Sequence, residues 1–220
     1  GIMREGRISA GADSAFGVGH VASLGDAFEK GFSALVGDPG AATHAATAPS
    51  PPSLQGMGAT ANLSRNYALG SNIDAAATAT WNAGAGFKPI GSSANTFNAT
   101  FDGLGHTITN LSINRAPTTN VGLIGYAASL ATIRNVGLVG ANVTGQSSVG
   151  ALAGYSSGSI HDSYATGVTV NGAGSDIGGL VGQSFISHGP IDNSYTTGTV
   201  SGVSNVGGLI GQLNGSTAVT

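Results

Sequence analysis

The chain of 220 residues holds 38 glycines, only 8% charged residues and a formal charge of −3. Seven Lys plus Arg are too sparse for a phosphate-tracking stripe, which argues against nucleic-acid binding, and no apolar run approaches the ~20 residues of a membrane span. Cysteine is absent, which excludes disulfides and thiolate metal sites, while 40% hydrophobic residues suffice for a continuous core.

Residues 1–53 match no repeat. Gly1 to Gly11 (GIMREGRISAG) lacks the apolar stretch of a signal peptide, so if the protein is exported its targeting segment is expected outside this chain. Val21, Leu24, Phe28, Phe32, Leu35 and Val36 fall at helical spacing and predict a short helix over 21–36, interrupted by Gly25 and Gly31 and stopped by Gly37-Asp-Pro-Gly40. Residues 41–53 (AATHAATAPSPPS) read as a Pro/Ala linker. Two roles stay open for this segment: a cover for the end of the array that follows, or a linker from an upstream domain.

From Leu54 the texture changes. Tyr67-Ala-Leu-Gly-Ser-Asn-Ile-Asp74, Phe87-Lys-Pro-Ile-Gly91, Phe97-Asn-Ala-Thr-Phe-Asp-Gly103 and His106-Thr-Ile-Thr-Asn-Leu-Ser-Ile113 each read as a strand closed by a polar turn. A true repeat begins at about residue 121. Val121-Gly-Leu-Ile-Gly125, Val149-Gly-Ala-Leu-Ala-Gly154, Ile177-Gly-Gly-Leu-Val-Gly182 and Val206-Gly-Gly-Leu-Ile-Gly211 are versions of one phrase, and their closing glycines are almost evenly spaced. Ile160-His-Asp-Ser-Tyr-Ala-Thr-Gly167 matches Ile191-Asp-Asn-Ser-Tyr-Thr-Thr-Gly198, and Val143-Thr-Gly145 matches Val170-Asn-Gly172 and Val200-Ser-Gly202.

Three short apolar segments per period, each too short to fold alone, predict an all-β parallel solenoid of ~28-residue triangular coils over 54–220. Roughly five coils are expected between about 66 and 215. Gly-Gly pairs and the frequent Val, Ile and Thr oppose a helical repeat. Val and Leu three apart in VGGLVG cannot both obey a two-residue alternation, so the glycines are expected at a bulge or corner, with the inward residues left open.

Groups able to do chemistry are few: from Leu54 onward there are five Asp, no Glu, four Lys or Arg and three His. Asp162 and Asp192 sit one residue out of phase in matching phrases, which points them to opposite faces and favours turn-forming roles over a paired-carboxylate site. Two glycines between Asp102 and His106 in FDGLGH suggest a tight turn in which Asp102 bonds the local backbone, against the alternative of orienting His106. Asn171-Gly-Ala-Gly-Ser-Asp176 resembles one calcium nonapeptide, but it is solitary and reads as a turn. No HExxH is present, and no cofactor or metal is expected. The third repeat carries a longer connection before Ile191, which predicts a projecting contact loop with Ser184, Phe185, Ser187 and His188. Tyr164 and Tyr195 hold the same place in adjacent repeats and are candidates for a surface ladder.

The ordered run of FKPIG, FDGLGHTITNLSINR, VGLIG, VGGLVG and SYATG, across roughly residues 54 to 215, resembles the GLUG-motif regions of large secreted bacterial proteins. These include filamentous-haemagglutinin-like adhesins exported by two-partner secretion and some immunoglobulin A peptidases. The resemblance implies a right-handed parallel β-helix at the cell surface and an outer-membrane secretion partner, and carries no catalytic residue across. The expectation is a noncatalytic shaft or scaffold of an extracellular adhesin that contacts host-surface glycan or matrix. The alternatives are a self-associating filament and the spacer of a secreted peptidase or glycan-active enzyme. With Thr220 just after the fourth phrase, the chain is expected to be an excerpt of a longer polypeptide.

Overall fold

The computed structural model describes residues 33–35, 53–186 and 188–215. Over them the chain is a parallel β-solenoid with three short 3-10 stretches and no α-helix. Its first sheet stacks Ser33–Leu35, Tyr67–Leu69, Thr100–Asp102, Thr132–Arg134, Ser159–His161 and Ile191–Asp192 in sequence order. Successive coils place Tyr67, Phe101, Ile133, Ile160 and Ile191 in one register column, so four turns separate the first from the last. The path then continues through a fifth coil to Asn214.

Four more inward columns complete each coil. Ile73, Ile108, Leu138 and Ala165 stack in the second sheet, and Ile113, Val143, Val170 and Val200 stack further along it. Val121, Val149, Ile177 and Val206 form the next column, and Ile124, Ala153, Val181 and Ile210 the third sheet. Five inward columns are thus in strand or bridge register, and buried residues between them, such as Leu111, Ala141 and Val168 or Leu123, Leu152 and Leu180, fill the corners. One sequence phrase serves two of them: IHDSYATG turns a corner between Ile160 and Ala165, and VGGLVG turns one between Ile177 and Val181. Bending within the phrase is what lets Val149, Leu152 and Ala153, or Ile177, Leu180 and Val181, all be buried despite their spacing.

Coil length sets what fills the core. The coil from Tyr67 to its register partner Phe101 uses more of the chain than the coil from Ile133 to Ile160. The longer early coils enclose the fully buried rings of Tyr67, Phe87, Phe97 and Phe101, and the later ones are filled by Ile, Leu, Val and Ala.

Two kinds of corner recur. Asn120, Ser148, Asp176 and Asn205, each just before an inward Val or Ile, adopt positive φ of 49° to 65°, a conformation that short polar side chains tolerate best after glycine. The glycines of the VGGLVG phrase have a different reason. At Gly182 a Cβ would strike the backbone of Val149 and Ser148 in the preceding coil, and at Gly150 it would stand 2.5 Å from Ala153 O and 2.6 Å from Gly182 N. Close backbone approach, not positive φ, requires glycine in this phrase.

Departures from the sequence expectations are local. Ser33–Leu35, inside the predicted 21–36 helix, forms a strand parallel to Tyr67–Leu69 instead. A ready-made edge of the first sheet outweighs the helical spacing there; the rest of residues 1–52 lies outside the described residues. FKPIG is not a strand. Ala76–Gly84 is a 3-10 stretch in place of a strand, and buried Thr78 completes the ladder by accepting from Ser112 N (2.9 Å) and donating to Ala75 O (2.6 Å). Phe87 N donates to Ser112 O (2.9 Å), so only Ile90 bridges in parallel to the next coil, at Ile124.

Candidate functional site

The outward face of the first sheet carries a column that the sequence reading missed: Asp102, Arg134, His161 and Asp192 stand in register on four successive coils. Asp102 is fully buried. Its Oδ2 accepts from Arg134 Nε (2.8 Å), and its Oδ1 accepts from Asn135 Nδ2 (3.0 Å) and from the Leu104 amide (2.9 Å). The expected local backbone bond is present, and it is one of three. His161 Nδ1 lies 2.5 Å from Asp192 Oδ1. Asp162 is out of this column, at a corner with φ 48°, as its phase in the phrase implied. Asp176 lies in the strand Ser175–Gly178, and its Oδ1 accepts from Asn205 Nδ2 of the next coil (2.7 Å).

Asp74 completes the inventory of carboxylates from Leu54 onward. It accepts from Asn110 Nδ2 (3.1 Å) and from the Ala76 amide (3.0 Å), and these bonds, the first above all, hold its pKa below the usual carboxylate value. Four of the five carboxylates are thus engaged in coil-to-coil or turn bonds. Among the described residues no group of three His, Cys, Asp or Glu could hold a metal ion.

Aromatic columns occupy the second and third sheets. Tyr164 and Tyr195 are in register and stack with centroids 5.2 Å apart and planes 9° apart. The Tyr164 ring lies over Gly137, where a Cβ would stand 2.5 Å from its Cζ. Tyr195 is 53% exposed. A second pair went unread: Tyr126 and Tyr155 stack at 4.3 Å and continue in register into Gln183 and Gln212, whose side chains bond each other at 3.0 Å. Burial, followed by hydrogen bonding to Tyr126, pushes the Tyr155 phenol above its ordinary pKa. The signal for this column was in plain view, since Tyr126, Tyr155, Gln183 and Gln212 each follow a closing glycine.

The predicted contact loop takes a different form. Ser184 is an inward strand residue, 1% exposed, in register with Ser156 of the coil before. Phe185 ends the same strand. Ser187 lies outside the described residues. The connection does not project far, because buried Ile186 donates its amide to Asn214 O (2.9 Å) and Gly189 packs on Ser159. What remains outward is His188, stacked on Phe185 at 5.6 Å.

From Val121 onward each coil of the parallel solenoid carries Val-Gly or Ile-Gly, a core Leu and a closing Gly. Residues 145–171 match the GLUG motif, which bears out the GLUG part of the resemblance seen in the sequence. The chain is also 38% identical over 183 residues to Halomucin of Haloquadratum walsbyi, an alignment covering 70% of this chain and 2% of that protein. Among solved structures, a Bacteroides ovatus protein with a provisional immunoglobulin A1 protease designation shares the fold. Its TM-score is 0.52 at 24% identity, over 67% of this chain and 55% of that one.

Proposed function

We propose that this chain is a noncatalytic segment of a secreted or surface-displayed protein, a β-helical shaft whose outer columns make repeated weak contacts. The observation that carries this reading is the use of its polar side chains. Asp74, Asp102, Asp176 and Asp192 hold coils or turns together, while stacked Tyr, Gln, Asn, Thr and Ser repeat along the outside at one coil per step. Repeated rings and hydroxyls suit glycans, matrix or another copy of the shaft, where many weak contacts add through multivalency. An extracellular location accords with the mucin-type name of the Halomucin relative, and none of the described helices is long and apolar enough to cross a membrane. Adhesion to a host surface and export through an outer-membrane partner follow from the filamentous-haemagglutinin likeness alone and are part of the proposal.

The test is a dense surface array of this chain, probed with neutral glycans, extracellular matrix and the chain itself, beside an array of Tyr164→Ser/Tyr195→Ser. Binding that falls with array density and with the double substitution supports the shaft as a contact surface. No binding at any density, with a neighbouring domain of the intact polypeptide binding alone, reduces this region to a spacer.

A further inference from the structure

One cleft stands apart from the neutral ladders. It lies between two corners of successive coils, encloses about 290 Å³, and is lined by Lys88, Pro89 and Ser92 on one side and Arg115, Thr118 and Thr119 on the other. Two of the four Lys and Arg found from Leu54 onward meet here, and no carboxylate lines it. Arg134, by contrast, is neutralised by Asp102.

Both walls are held in place. Gln55 brackets the Lys88 backbone, donating from Nε2 to its carbonyl (3.0 Å) and accepting its amide at Oε1 (2.9 Å). Arg115 donates from Nε to Phe87 O (3.0 Å) and from Nη2 to Gly86 O (3.3 Å), two of its five N–H groups. The turn after Arg115 is pinned to the next coil by Arg115 N to Thr144 O (2.8 Å) and Gln146 N to Thr118 O (2.7 Å). Lys88 itself is exposed, and partial burial lowers the Arg115 pKa from its ordinary value, so a counter-charge would favour its cation.

We propose that this cleft binds the acidic group of a sugar residue, a carboxylate or sulfate ester, between Lys88 and Arg115, with the hydroxyls of Ser92, Thr118 and Thr119 taking sugar hydroxyls. A fixed guanidinium and an exposed ammonium match an oxyanion, and the volume suits a single monosaccharide. This goes beyond the shaft reading, since one coil pair forms the site without any array.

The experiment titrates the chain in solution with galacturonate, galactose 6-sulfate and galactose, following the Arg115 Nε–H and the amides of residues 118–120 by NMR. Saturable shifts with an acidic sugar at low salt, weakened in 0.5 M salt and absent with galactose, are expected. The arm that responds tells carboxylate from sulfate. Lys88→Gln keeps the backbone bracket and should keep its melting temperature while weakening binding about tenfold; Lys88→Arg should retain binding. No shift with either acidic sugar at millimolar concentration, equal response to galactose, or undiminished binding by Lys88→Gln overturns the proposal. A silent array beside a positive titration would remove the adhesive reading and leave this site standing.

Discussion

Replacing Gly182 by alanine places a methyl group against the preceding coil. A Cβ there would strike Val149 N and Ser148 C and stand 2.7 Å from Gly154 O, all of them backbone atoms. Val149 N is already committed to Asp176 O at 3.1 Å, so it cannot retreat without loosening the ladder. No rotamer relieves such a clash, and overpacking of this kind costs about 1–3 kcal/mol. At about 2–4 °C per kcal/mol for a chain of this size, Gly182→Ala should melt about 2–12 °C below the wild type. Two other glycines separate the causes. Gly208→Ala meets nothing within 4 Å, and the matching position two coils earlier is naturally Ala151, so its cost should stay within about 0.5 kcal/mol. Gly167→Ala also enters open space but at φ +61°, which isolates the left-handed strain of about 1–2 kcal/mol. Thermal melts of the three variants by far-ultraviolet circular dichroism give the comparison. Equal melting temperatures for the 182 and 208 variants would refute coil-on-coil contact as the reason for the closing glycine.

Asp102→Ala should cost about 3 kcal/mol in denaturant unfolding, because it removes a fully buried carboxylate that accepts from Arg134 Nε, Asn135 Nδ2 and the Leu104 amide; a loss under about 1 kcal/mol would show that water replaces the carboxylate freely. Tyr195→Ala, which removes the upper ring of the Tyr164 stack, should cost about 0.5–1.5 kcal/mol, measured against Thr197→Ala as a surface reference. Burial raises the Tyr67 pKa, so its share of stability is present below the unfolded value of ~10 and lost as pH rises through the folded one; Tyr67→Phe should flatten the alkaline slope of a stability–pH curve. The Asp74 pKa is lowered, so its share is present above the unfolded value of ~3.9 and lost as pH falls through the folded one. Asn110→Gly, which keeps the positive φ of 58° but drops the side-chain bond, should move the Asp74 carbon resonances to a higher titration midpoint.

Period and strand type were legible because the core phrase repeats in words: the register column Ile124, Ala153, Val181, Ile210 advances in step with the closing glycines, each member standing immediately before one. The number of columns was not, since a phrase that bends in its middle looks like one segment until its corner is seen. The Asp102, Arg134, His161, Asp192 column was hidden by its wording. Its four members, of three residue types, share one rule, that each follows the inward Phe or Ile of the first sheet. The Ser184 error has the same root, because counting back from Ile191 put the longer connection too early, and the strand to Phe185 runs on in register with Ser156. Lys88 and Arg115 could not be paired from the sequence at all. They belong to different phrases, one coil apart, where the 3-10 stretch Ala76–Gly84 breaks the repeat and leaves no equivalent positions to align.

The sparse charge of this chain is itself a consequence of stacking. Equivalent positions on adjacent coils lie about 4.8 Å apart. Two like charges at that distance repel by about 3.5 kcal/mol at an effective dielectric of ~20, so a faithfully repeated Lys or Asp would add that penalty at every step. Amides and hydroxyls escape it, because each both donates and accepts, as Gln183 with Gln212 and Ser201 with Asn171 do. The charges that stand in a column alternate with a partner of opposite or titratable kind, Arg134 on Asp102 and His161 against Asp192. A neutral outer face is therefore what the fold demands before any ligand is considered, and cannot by itself argue for a neutral one. Lys88 and Arg115 break the rule: they carry the same sign on successive coils, sit on corners outside the ladders, and line one cleft without a carboxylate. Coil-to-coil bonds place the Arg115 guanidinium but not a second cation beside it, which is why a bound anion has more to explain there than anywhere else on the shaft.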